Sequence, residues 1–258
     1  MTAVDLHSEC IGSGPPVVVL HGLFGAGRNW LTVARRLSSA FEFHLVDLRN
    51  HGRSPHTTSM TYTDMVADVL RMLDQRRLTR PIVVGHSMGG KAAMTLAIHH
   101  PERLTRLINI DIAPVSYPDR FADMIAAMRT LDLSTIRRRH EADGAMATAI
   151  PETQVRQFIL QNLVFRDGVV AWRANLATLQ EQMPHILGPI PVADNASFDG
   201  DTWFIRGERS DRITASEIPV IRRLFPYHQI ETVPGGGHWP HAEAPEAFLE
   251  LFRRALDG

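Results

Sequence analysis

Gly85-His86-Ser87-Met88-Gly89 follows the apolar run Pro81-Ile82-Val83-Val84 and precedes Lys91-Ala92-Ala93-Met94-Thr95-Leu96-Ala97-Ile98. The first flank is short, β-branched and bounded by proline and glycine, the pattern of a buried strand. The second is rich in alanine, methionine and leucine, the pattern of a helix. A serine on a strand-to-helix turn, with glycine two residues to either side, is a nucleophile elbow. The turn is too tight for larger flanking residues, and it lifts Ser87 Oγ clear of the backbone. The helix N-terminus beneath it, with its free N–H groups, favours negative charge developing on a substrate oxygen. A chance GxSxG in a glycine-rich loop would lack the strand before it and the helix after it.

The same alternation extends to both sides. Pro16-Val17-Val18-Val19-Leu20-His21-Gly22 predicts a strand, followed by the loop Leu23-Phe24-Gly25-Ala26-Gly27 and a helix from about Asn29 to Leu37. Phe43 to Leu48 predicts another strand, with a polar, turn-rich loop from Arg49 to Pro55. Tyr62, Met65, Val66, Val69, Leu70 and Leu73 recur at helical spacing. Leu107 to Ile112 is a further strand. Strands alternating with helices imply a mostly parallel twisted sheet covered on both faces, an α/β fold.

Between Pro114 and Pro191 the alternation stops. Phe121, Met124, Ile125, Met128 and Leu131 share one helical face, and Trp172, Leu176, Leu179, Met183 and Ile186 share another. Val155, Phe158 and Ile159 suggest a third. The expectation is an all-helical cap, residues 114–191, lying as a lid over the sheet edge where Ser87 emerges. Residues 1–113 and 192–258 then form the core domain. Alternation resumes with Thr202 to Gly207, a helix near Ser216 to Phe225, the strand His228 to Val233, and an amphipathic helix from Pro245 to Leu256.

Bulk properties narrow the class. The chain has 258 residues, 44% hydrophobic and 21% charged, with a net charge of −1, so there is no electrostatic case for nucleic acid or an anionic membrane as partner. Cys10 is the single cysteine, which excludes an intrachain disulfide and a cysteine-based metal cluster. No HExxH and no clustered Cys/His spacing is visible, so no metal is expected. Met1 to Leu6 lacks the basic and apolar regions of a signal peptide, and no run is long enough to span a bilayer. The expected compartment is the cytoplasm. Lys91 is the sole lysine.

A serine hydroxyl needs a base. Of thirteen histidines, His238 is favoured. It follows the last strand in the loop Pro234-Gly235-Gly236-Gly237-His238-Trp239, on the Ser87 side of the sheet, and comes last in chain order. His241 is expected at a helix entry or on the surface, His86 packed, and His21 holding the loop that follows it. An oxyanion needs two fixed donors. The Met88 N–H is one; the Leu23 N–H is the second, with Phe24 as the alternative. Asp47 and Arg49 are assigned to fixing the turn beneath the site.

Together these pieces resemble the α/β-hydrolase superfamily, and within it the compact esterases of the YbfF/ABHD11 type. The resemblance rests on His21-Gly22-Leu23-Phe24-Gly25, Asp47 to Ser54, Gly85 to Lys91, Asp111-Ile112-Ala113-Pro114, Phe204-Ile205-Arg206-Gly207 and Gly237-His238-Trp239. It implies a serine carboxylesterase acting on short- to medium-chain acyl esters or thioesters, with no cofactor. Many relatives carry the triad acid three residues beyond the glycine that ends the penultimate strand, but here that position holds Ser210. Asp211 is one residue later, and Asp111 offers a second route. Asp111 is preferred as the partner of His238, with Ser210 hydrogen-bonded nearby, because a neutral hydroxyl cannot stabilise an imidazolium as a carboxylate does. Phe24, Phe121, Met124 and Trp172 are expected to wall an apolar acyl pocket. The competing readings are another triad hydrolase (a thioesterase or C–C hydrolase) and a non-catalytic ligand receptor or interaction protein on the same scaffold. Aspartate-dependent relatives such as dehalogenases are disfavoured because the elbow residue is serine.

Overall fold

The β-branched runs form the interior of a seven-stranded sheet in the computed structural model, which describes residues 2–258. In chain order the strands are β1 (Ser8–Gly12), β2 (Pro16–Leu20), β3 (Glu42–Val46), β4 (Ile82–His86), β5 (Arg106–Ile110), a separate pair β6 (Leu163–Arg166) and β7 (Val169–Trp172), then β8 (Asp201–Gly207) and β9 (His228–Val233). The sheet order is β1-β3-β2-β4-β5-β8-β9; only β1 runs antiparallel to its neighbour. The helices are α1 (Leu31–Leu37), α2 (Tyr62–Arg76), α3 (Met88–His99), α4 (Ala122–Thr130), α5 (Arg139–Met146), α6 (Thr153–Leu160), α7 (Leu176–Glu181), α8 (Met183–Leu187), α9 (Ile218–Leu224), α10 (Pro240–Glu243) and α11 (Pro245–Asp257).

The two-residue period of a strand divides the core. Val17, Val19, Phe43, Leu45, Val84 and Ile108 face Trp30, α1 and the Phe248–Phe252 stripe of α11. Val18, Leu20, Val83 and Leu107 face the opposite way, toward α2, α3 and the segment between β5 and β8. Every strand between β3 and β8 is therefore apolar on both faces, which is why these runs lack alternation. Helix α2 begins where Thr61 and Asp64 cap each other reciprocally. Among the described residues, no helix is long and apolar enough to cross a membrane.

The segment between β5 and β8 corrects the all-helical expectation. It carries α4 to α8, but also the β6–β7 hairpin. Leu163-Val164-Phe165 and Val169-Val170-Ala171-Trp172 are β-branched and aromatic, and Asp167-Gly168 joins them with both residues at positive φ (51° and 77°), as a two-residue hairpin turn requires. Trp172 lies on β7, not on the helix of Leu176 and Leu179. That helix itself ends at Glu181, and Gln182 separates it from α8.

At the elbow, backbone meets backbone. A Cβ on Gly85 would sit 2.3 Å from Gly89 O, and one on Gly89 would sit 2.3 Å from Leu20 O. No flexible atom is available to yield, so Gly89→Ala must push α3 away from β2 and β4. The expected loss is about 1–3 kcal/mol of unfolding free energy by urea denaturation. Gly144→Ala in α5, where a Cβ would meet nothing within 4 Å, is the control and should be neutral or stabilising by up to about 1 kcal/mol.

Candidate active site

Ser87 stands between β4 and α3 at φ 53° and ψ −120°. A non-glycine residue at positive φ is strained, and the strain is held by the Ser87 N–H donating to Ile110 O at 3.1 Å and by the close packing of α3. The loop after β9 brings His238 across the sheet edge, where its Nε2 is 3.1 Å from Ser87 Oγ. Its Nδ1 is 2.8 Å from Asp111 Oδ2. With Nδ1–H donating to the carboxylate, Nε2 is left to accept the serine proton.

Asp111 follows β5 at φ 51° and has no exposed surface. Its N–H donates to Ile205 O at 2.9 Å. Oδ1 accepts the Gly207 N–H at 2.9 Å, and Oδ2 accepts the Ser210 hydroxyl at 2.5 Å as well as His238. Ser210 thus reaches the carboxylate, not the imidazole. Asp211 is elsewhere: its carboxylate is exposed and pairs with Arg120 at 2.8 Å, which holds it below the usual carboxylate range.

The other histidines serve as struts. His86 donates Nε2–H to His238 O at 2.8 Å, fixing the loop that carries His238. His21 donates Nδ1–H to Gly22 O at 2.8 Å and accepts the Leu48 N–H at Nε2. His51 accepts the Phe24 N–H at 3.1 Å and donates Nδ1–H to Arg49 O. The Phe24 amide is therefore committed, and the Gly25 N–H is bound to Gly22 O. Among the described residues, the Leu23 N–H has no protein partner. The Met88 N–H opens α3 and likewise has none within the helix. Burial lowers the proton affinity of all three histidines, and for His51, close to the His21 ring, the value falls to about 3. His241 lies at the entry of α10, as expected, half-buried and stacked on Trp30 with ring centroids 4.3 Å apart.

Asp47 takes the Gly27 and Arg53 N–H groups on its two oxygens, and Arg49 makes a bidentate pair with Asp68. Both hold the turn beneath the site. Asn162, which carries no sequence signal, donates to Phe24 O at 2.7 Å and ties the β5–β8 segment to the Gly22–Gly25 loop.

A cavity of about 710 Å³ opens onto Ser87 and His238. Phe24, Phe121, Met124, Phe158 and Trp239 form its apolar walls, and Arg120, Arg209 and Asp211 stand at its rim. Trp172 does not line it; its indole N–H donates to Met128 O at 2.8 Å. On the inner side of Ser87 is a recess of about 20 Å³ bounded by Leu23, Met88, Tyr62, Tyr117 and Lys91. Lys91 is 1% exposed and donates to Leu187 O and Gly188 O at 3.2 and 2.6 Å, beneath the Tyr117 ring. Burial and the Arg212 charge bring its pKa down to about 7.

A sheet of this order, with a serine elbow after β4 facing a histidine after β9, defines the hydrolases of the α/β class. Residues 17–251 match the alpha/beta hydrolase family, and the chain belongs to it. It is similar to esterase YbfF of Escherichia coli, 38% identical over 94% of this chain and 93% of the relative. It is also similar to the sn-1-specific diacylglycerol lipase ABHD11 of Xenopus laevis, 39% identical over 92% and 78%. A solved marine microorganism esterase superposes with a TM-score of 0.95 at 35% identity, covering 98% of this chain and 100% of that one. The protein is an enzyme, a hydrolase of carboxylic esters.

The buried histidines set an acid limit on stability. Their folded-state pKa values lie below the unfolded value of about 6.5, so the neutral form is favoured in the native state. That stabilisation is complete above pH 6.5 and is lost as pH falls through each folded-state value, which for His51 is about 3. His51 alone should account for a loss on the order of 2 kcal/mol between pH 7 and pH 5. Urea midpoints at the two pH values measure it, and an unchanged midpoint would contradict the assignment.

Proposed function

We propose that the protein is a serine carboxylesterase that cleaves short- to medium-chain acyl esters, or the corresponding thioesters, through an acyl-enzyme. In this reading Ser87 Oγ attacks the carbonyl while His238 Nε2 takes its proton. Asp111 holds the imidazole in the required tautomer and stabilises its charge. The Leu23 and Met88 N–H groups receive the oxyanion. His238 then protonates the departing alcohol or thiol. A water molecule repeats the attack, its proton passing to His238 and then back to Ser87 as the acid leaves. The observation that carries this reading is the unbroken line from Ser87 Oγ to His238 Nε2 and from His238 Nδ1 to Asp111 Oδ2.

Cavity dimensions support the substrate class. The inner recess has room for little more than a single water-sized group, whereas the outer cavity lies in the range typical of small-molecule sites. An acyl chain longer than acetyl would lie outward against Phe24, Phe121 and Met124. Residues 114–191 act as the lid that supplies Phe121, Met124 and Phe158, with the hairpin as a brace on its far side. Ser210 is a positioning residue acting through Asp111.

A fluorophosphonate probe should label the folded wild type and not Ser87→Ala. Absence of labelling on wild type would remove the catalytic reading and leave that of a binding scaffold. Asp111→Asn should lower kcat on p-nitrophenyl esters by about 10³–10⁴-fold, since it reverses the donor needed at His238 Nδ1. Ser210→Ala should lose less than about tenfold, because Asp111 keeps its Gly207 and His238 donors. Asp211→Asn, an exposed pair, should change the rate by about twofold or less. A matched panel of acyl lengths as esters, thioesters and a diacylglycerol fixes the substrate; a maximum at long chains would overturn the short-to-medium assignment.

A further inference from the structure

Far from the serine, the antiparallel register of β1 and β3 sets Cys10 directly opposite His44, with Glu42 two residues before His44 on the same strand. The pleat places all three on one face of the sheet. Sequence spacing hides this cluster, because its members are brought together by strand pairing alone. The Cys10 thiol, a His44 ring nitrogen and a Glu42 carboxylate oxygen lie within 4.8 Å of one another. His44 is 4% exposed, and its Nε2 is already 2.8 Å from Glu42 Oε1. Cys10 is exposed, leaving an approach from solvent. None of the three touches the Ser87 cavity.

We infer that Cys10, Glu42 and His44 form a binding site for Zn²⁺, with solvent water as the fourth ligand. One sulfur, one imidazole nitrogen and one carboxylate oxygen are the donor types zinc takes, and a thiolate excludes magnesium and calcium. Bond lengths of about 2.0–2.3 Å place the donors of a tetrahedral zinc roughly 3.2–3.6 Å apart. From a separation within 4.8 Å, side-chain rotation alone would have to close that gap, with the paired strands unmoved. Metal binding releases the thiol proton to solvent, so the loaded site carries a thiolate and a carboxylate. Their two negative charges outweigh the nearby Arg76, whose guanidinium donates to Ser8 O. The bound ion would fasten the sheet's only antiparallel strand, at its edge, to β3.

Cobalt(II) is the probe, titrated into the chelator-treated full-length protein. One equivalent should produce a near-ultraviolet thiolate-to-cobalt charge-transfer band, and Zn²⁺ should abolish it by competition. Cys10→Ser should bind neither ion at this site, and Glu42→Gln and His44→Gln should each weaken cobalt binding at least tenfold. Glu42 is half-buried and its glutamine variant preserves shape, so it decides the matter should His44→Gln fail to fold. No band at one equivalent would overturn the site. So would an undiminished affinity in Glu42→Gln, which would mean an adventitious thiol adduct, or zinc binding retained by Cys10→Ser, which would place the metal on other residues.

Discussion

Asp111 has no contact with solvent, yet its oxygens accept from the Gly207 amide and the Ser210 hydroxyl in the turn that ends β8, and from the His238 ring in the loop after β9. An ionised carboxylate in that position is tolerable only while its donors stay in place, because a buried charge left unpaired costs several kcal/mol. The end of β5, the end of β8 and the loop after β9 are consequently fixed relative to one another by a single side chain. Its left-handed backbone, held by the bond to Ile205 O, aims that side chain along the sheet edge instead of into the core. Scaffold and site are the same hydrogen-bond network here.

Around it, the histidines divide by surroundings. His21, His51 and His86 are buried among backbone carbonyls and amides, are kept neutral, and fix the loops on either side of Ser87. His238 differs in having both ring nitrogens directed at side chains, one a hydroxyl and one a carboxylate. That difference separates it from the others physically, where composition offers only a list of thirteen. The Leu23 amide stays available because its neighbours Phe24 and Gly25 are occupied.

What could be read in advance follows from which signals are local. The strands and the Ser87 turn announce themselves through contiguous β-branched runs and through glycines placed where backbones touch. The hairpin at Leu163–Trp172 was hidden because Trp172 happens to lie at helical spacing from Leu176 and Leu179, while the break at Asn175, which caps α7, is a single polar residue. Asn162 holds a residue 138 positions away, and no local pattern encodes such a partner. Asp211 turns out to Arg120 while Asp111 faces His238, a difference in direction that chain order does not encode. Cys10, Glu42 and His44 are likewise separate until strands pair.

Lys91 has a practical corollary. The chain's only ε-amine is sealed beneath Leu187 and Gly188, so all side-chain positive charge at the surface is guanidinium. Acylating reagents, amine cross-linkers and ester-activated supports will find no lysine on the closed molecule. With its pKa near 7, that amine is substantially unprotonated at neutral pH and is shielded by burial alone. Its acylation would therefore act as a built-in clock for how often the chain over α3 lifts away.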